Sequence, residues 1–174
     1  MGHVAVTAIG MDRPGIVAGV TEAIRDLGAN LEDVASTILR GHFTMMLVVA
    51  APEDVAAADV EEALRVAVEP LGVSVTASDV EAGAPDRPEA THALVVYGSD
   101  RPGIVAGMAR LLADRGVNVT NLSCRLVGDE APVYAMVAEV LVPEGDEDLG
   151  HLVEERARKL DVDATLRRIE VETL

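Results

Sequence analysis

An octapeptide occurs twice in this chain, and no other feature restricts its fold so strongly. Asp12-Arg13-Pro14-Gly15-Ile16-Val17-Ala18-Gly19 returns unchanged as Asp100-Arg101-Pro102-Gly103-Ile104-Val105-Ala106-Gly107, 88 residues later. The flanks follow the same offset: Gly10 matches Gly98, Asp26 matches Asp114, Gly28 matches Gly116 and Asn30 matches Asn118. A period this long exceeds that of stacked solenoid repeats and implies two homologous domains. The expected boundaries are 1–80 and 92–174. They are joined by a linker over 81–91, whose Glu81–Glu89 stretch holds two prolines, a glycine and four charges.

Each repeat carries the same order of elements. Val4–Ile9 is short and rich in β-formers. Past the Asp-Arg-Pro-Gly turn, Ile16, Val20, Ala23, Ile24 and Leu27 recur at spacings of three and four, one apolar helix face that Gly28 closes. Residues 30–40 and 42–51 read as two strands joined at Arg40-Gly41-His42, a tight hairpin. Glu53-Asp54 supply acids for a second helix, striped by Val60, Leu64, Val68 and Leu71, and Val73–Ala77 alternates as the last strand. The second repeat reads as strand 92–98, helix 102–115, strands 117–127 and 132–142, helix 147–160 and strand 162–172. Its hairpin is lengthened through Gly128-Asp129-Glu130, and a bulge or bend near Arg167-Arg168 is expected to reconcile two apolar phases. The pattern βαββαβ with right-handed crossovers predicts an α+β fold, two ferredoxin-like sandwiches in tandem, each with both helices on one face of an antiparallel sheet. Strands apolar in both phases, such as Met45–Val49, imply a partner surface over the open face or along an edge.

Charge and composition narrow the functions. Thirty acidic residues face fourteen basic ones, and both halves share the excess: 13 acids and 4 bases in residues 1–84 (−9), 17 and 10 in 85–174 (−7). Such a surface repels phosphate backbones and anionic lipids, so direct nucleic-acid or membrane binding is not expected. With no Trp, one Phe and two Tyr, stacking platforms for bases are nearly absent. A single cysteine, Cys124, excludes an internal disulfide, and no secretory leader or membrane-length apolar run is evident, so a cytoplasmic protein is expected.

The strand, the Gly-x-Asp-Arg-Pro-Gly-Ile-Val-Ala elbow and the Gly-Ala-Asn-Leu start of the second strand resemble the ACT domain, and both repeats carry the likeness. The likeness covers nearly the whole chain outside the linker. The order of the two domains is similar to that of tandem ACT repressors of the glycine cleavage system, and the transferase domain that follows a similar loop in formyltetrahydrofolate deformylases is not expected here. The resemblance implies a small ligand, such as the amino acids glycine or serine, held where this loop meets a neighbouring domain's second strand. It carries a ligand-binding role to Gly10, Asp12, Arg13, Gly15, Ile16, Val17 and Asn30, and to Gly98, Asp100, Arg101, Gly103, Ile104, Val105 and Asn118. A homo-oligomer and a protein partner, a transcription activator, are implied with it.

Physical chemistry supports the loop as a ligand seat. A helix start presents about four unpaired N–H groups and partial positive charge. Glycine there lets a small molecule approach the backbone. Asp12 and Asp100 are candidates both for helix caps and for a ligand ammonium, while Arg13 and Arg101 are expected on the rim or paired with acids. Spacing alone equally describes an ordinary capped helix with no ligand. His3, His42, His92 and His151 lack metal-ligand spacing, so no metal or other cofactor is expected. Cys124, opposite Ser36 in the repeat, reads as a packing residue, Asp146-Glu147-Asp148 and Glu154-Glu155 as solvated helix faces, and Met45, Met108 and Met136 as core. No nucleophilic triad, Cys/His pair or phosphate loop appears, so no enzymatic activity is expected. The alternatives are a regulatory subunit of a metabolic enzyme and a bare oligomerisation module.

Overall fold

In a computed structural model, which describes residues 1–81, 89–128 and 133–169, the chain divides into two units, Met1–Ala84 and Pro85–Leu174. The first contains β1 (Gly2–Met11), α1 (Ile16–Asp26), β2 (Asn30–Leu39), β3 (His42–Ala51), α2 (Ala57–Val68) and β4 (Val73–Val80), with sheet order β2-β3-β1-β4. The second repeats this as β5 (His92–Ser99), α3 (Ile104–Asp114), β6 (Asn118–Val127), β7 (Val133–Leu141), α4 (Leu149–Leu160) and β8 (Val162–Arg168), in the order β6-β7-β5-β8. All six strand pairings are antiparallel. Both units are the expected ferredoxin-like sandwich.

The helical stripes become the core. Ile16, Val20 and Ile24 of α1 and Val60, Leu64 and Val68 of α2 pack on Val4, Val6 and Ala8 of β1 and on Phe43, Met45, Leu47 and Val49 of β3. Met108 and Met136 lie in the second core as expected. Because side chains alternate across a strand, Met46 points to the other face and is 58% exposed, although it sits in an unbroken apolar run. Ile9, Met11 and Leu39 are exposed with it, so the sheet face of the first domain opposite its own helices carries apolar side chains. The hairpin turn holds Arg40 at φ 49° and Gly41 at φ 79°, the paired left-handed conformation whose twist suits a two-residue connection. No helix among the described residues is long and apolar enough to cross a membrane.

Several expectations need correction. The acid that serves the start of α2 is Asp59, whose carboxylate accepts the Ala56 N–H at 2.9 Å; Glu53 and Asp54 precede the helix. No bulge occurs at Arg167-Arg168, since β5 and β8 stay in register from Gly98–Val162 to His92–Arg168, where the strand ends. The register shifts lie instead between Leu31 and Asp33 and between Val119 and Asn121, leaving Glu32 and Thr120 as the extra residues. The extension of the last strand to residue 172, the hairpin residues Asp129 and Glu130 and most of the linker lie outside the described residues. Cys124 is exposed and not packed away, because edge strand β6 runs outside the helical cover for most of its length.

Asp146 is also no solvated helix-face residue. It lies before α4, accepts Arg115 Nε at 3.0 Å and the Nη2 of the same guanidinium, and is 7% exposed in its side chain. The guanidinium's hydrogen bonds hold the Asp146 carboxyl below its ordinary value. A carboxyl lowered on folding stabilises the native state above its unfolded pKa and loses that contribution as pH falls through the folded one. Asp146→Asn is therefore expected to lower the thermal midpoint at neutral pH. The gap to the parent protein closes on acidification below the ordinary aspartate range, as read by circular dichroism melts across pH. A gap of constant size would remove the ion pair as its cause.

Candidate ligand-binding site

At the end of β1 the Asp12 N–H donates to the Gly41 carbonyl at 2.9 Å, tying the start of the elbow to the β2–β3 turn. The exposed Asp12, Arg13 and Pro14 follow, and the chain reverses at Gly15, with φ 99° and ψ −13°. The Gly15 carbonyl then accepts the Gly19 N–H at 2.8 Å, the first bond of the α1 ladder. The N–H groups of Ile16, Val17 and Ala18 stand ahead of that ladder, at the positive end of the helix. The second domain repeats the geometry with Gly103 at φ 100° and ψ −8°, and Gly107 N–H to Gly103 carbonyl at 2.8 Å. These glycines serve the backbone conformation and not a crowded packing site. An added Cβ at Gly15 would meet only Leu71 Cδ1 at 3.9 Å, and at Gly103 nothing within 4 Å. The space over both elbows is open within each domain.

Asp12 and Asp100 do not cap their helices. Neither α1 nor α3 has a side-chain cap bond, and the capping position falls on Gly15 and Gly103. The Pro-Gly turn places each aspartate three residues too early, so its carboxylate stays exposed and unspent on the helix.

The other site residues divide by position. Ile16 and Ile104 are 1% and 2% exposed, so only their backbones belong to the elbow. Val17 is 48% exposed beside Gly15, and Val105 is partly buried against the second core. Gly10 and Gly98 answer to packing: a Cβ at Gly10 would stand 2.8 Å from the Gly72 carbonyl oxygen, and one at Gly98 2.8 Å from Val162 Cγ1. Asn30 and Asn118 are exposed at the starts of β2 and β6, beyond the opposite ends of α1 and α3. An eleven-residue helix spans about 16 Å, so a single domain does not bring its asparagine to its own elbow.

The structure adds residues that sequence reasoning missed. Gly19 and Gly107, the last of the octapeptide, serve helix–helix approach: added Cβ atoms would come to 3.4 Å from Val68 Cγ1 and 3.0 Å from Leu160 Cδ1. Phe43 and Tyr134 pair across the sheet with Gly10 and Gly98. Burial first, then a hydrogen bond and charge interaction with Cys124, then the Asp100 charge push the Tyr134 hydroxyl up to about 12, so it remains protonated near neutrality. Arg101 Nη1 meets Asp161 Oδ2 at 2.8 Å, as a rim arginine paired with an acid should; Arg13 has no carboxylate partner among the described residues. The signal for Phe43 and Tyr134 was present in the sequence once the longer second hairpin is allowed for. No group of three or more His, Cys, Asp or Glu side chains suited to a metal ion occurs among the described residues.

ACT-domain profiles match residues 3–78 and 92–161. A UPF0237 protein of Methanopyrus kandleri is 45% identical over 76 residues, 43% of this chain and 84% of that protein. The phosphoserine phosphatase SerB2 of Mycobacterium tuberculosis is 30% identical over 146 residues, 82% of this chain but only 34% of the phosphatase. Among solved structures, an unknown protein from Galdieria sulphuraria superposes with TM-score 0.80 at 22% identity, over 97% of this chain and 99% of that one. A provisionally assigned glycine cleavage system transcriptional repressor superposes with TM-score 0.75 at 20% identity, over 98% of both. At such identities these two structures speak for the fold alone.

Proposed function

We propose, from the premise that this chain belongs to the ACT-domain family, a non-catalytic regulator that binds an amino acid at its glycine elbows and controls a protein partner. One observation carries the reading: the same open, left-handed glycine elbow occurs at two helix starts, each with an aspartate left free of capping duty. The acid group of an α-amino acid suits the amides of residues 16–18 or 104–106, and its ammonium suits the carboxylate of Asp12 or Asp100. Small ligands such as glycine or serine are favoured by a backbone seat without a deep side-chain pocket.

A ligand changes the partner surface only through unequal affinity for two arrangements of the protein. The net charge of −16 argues against direct contact with DNA, so transcriptional control would pass through a DNA-binding activator of glycine or amino-acid metabolism. The SerB2 likeness favours a second reading, a regulatory module acting on an enzyme of amino-acid metabolism. Affinity capture from the native host separates the two by the class of protein retained.

The test of ligand binding is a thermal-shift and calorimetric titration of the full chain with the proteinogenic amino acids. A ligand at a hundred times its Kd adds about 2.7 kcal/mol to stability, a shift of several degrees. Absence of any shift at millimolar concentration for every amino acid would overturn the sensor reading.

A further inference from the structure

We infer that the two elbows hold an acid group unequally, the first more tightly than the second, and that Asp161 is the residue that makes them differ. This rests on the elbow reading above and assigns a specificity determinant within it. Gly72 and Asp161 occupy equivalent places: each is left-handed, at φ 72° and 55°, and each precedes the strand residue (Val73 or Val162) that packs against Gly10 or Gly98. In the second domain this position carries a carboxylate, and that carboxylate sits on Arg101 at 2.8 Å. In the first domain the position has no side chain, and Arg13 has no acid partner among the described residues. An arriving carboxylate therefore meets an available guanidinium at the first elbow, and a guanidinium already holding a carboxylate at the second.

The Arg101 and Asp161 side chains are 53% and 75% exposed, so solvent screens the pair and the difference is modest, about fivefold in affinity at low salt. The exchange can be made in both directions without crowding. Nothing lies within 4 Å of a Cβ at Gly72, Asp161 itself shows that aspartate accepts the left-handed conformation, and glycine adopts it freely.

The experiment follows the backbone amide resonances of residues 15–18 and 103–106 in the full chain during titration with glycine and, separately, with sodium acetate. In the parent protein the first set should reach its midpoint at about one-fifth the concentration needed by the second. Asp161→Gly should tighten the second elbow by about fivefold and leave the first unchanged, and Gly72→Asp should weaken the first by a similar factor. Unaltered dispersion of the remaining amides reports that each variant is folded. Equal midpoints in the parent, or midpoints unmoved by either exchange, overturn the inference and leave the ligand site standing. No response at either elbow to either probe overturns the inference together with the elbow reading.

Discussion

Alanine at Gly10 should destabilise the first domain by about 2–3 kcal/mol, the range in which overpacking forces backbone to move. The new Cβ would stand 2.8 Å from the carbonyl oxygen of Gly72, 2.9 Å from Val73 Cγ2 and 3.0 Å from Val73 Cα. Two of these three atoms are backbone, so no side-chain rotation relieves the contact, and β1 must separate from the start of β4. Gly98→Ala is expected to cost less, about 1 kcal/mol, because its nearest neighbour is a methyl group, Val162 Cγ1, and the Val162 Cα lies at 3.2 Å. Urea unfolding of the two variants, with hydrogen exchange along β1 and β4, reads the difference. Parent-like stability of Gly10→Ala would mean that the strand edge adjusts freely and that this glycine answers to some other demand.

Leu64→Ala should cost about 2–5 kcal/mol, lost transfer free energy plus the cavity left behind. Leu64 is completely buried between α2 and the sheet, among Val60, Val68 and the strand residues of the first core. Against a typical domain stability of about 5–15 kcal/mol, this loss approaches the whole margin. Met46→Ala is the control. It removes an equally apolar side chain from the most apolar run of the sequence, yet Met46 is 58% exposed and its loss should stay within about 0.5 kcal/mol. Denaturant midpoints of the two variants decide the matter, and similar losses would show that the open face of the sheet is covered in solution.

These two comparisons mark how far sequence alone reaches. The three-and-four spacing of Ile16, Val20 and Ile24 sufficed for α1 and its buried face, because helix geometry is local and the stripe has one way to turn inward. The octapeptide sufficed for duplication, and the paired Arg40-Gly41 turn for a hairpin. Local reasoning failed at bulges and caps. Whether Glu32 or Thr120 is the extra residue depends on ladder register with β3 or β7, which no short window contains. Asp12 has the right type for a cap and the wrong distance from the helix start, a matter settled by the left-handed turn at Gly15.

The candidate site divides in the same way. Resemblance to the ACT domain pointed to Asp12, Arg13, Gly15 and their repeats, whereas spacing alone showed only a Pro-Gly helix start, legible in one segment. Asp161 was invisible, since its importance comes from meeting Arg101 across 60 positions of chain, and so was the contrast with Gly72. The sequence by itself thus determined the duplication, the order of elements and the residue types at each helix start, all of which are legible over a few residues. Only the tertiary structure decided which apolar residues are buried, that Asn30 and Asn118 lie a helix length from their own elbows, and which arginine already holds an acid. Those outcomes depend on contacts between distant segments, whose distances no local periodicity encodes.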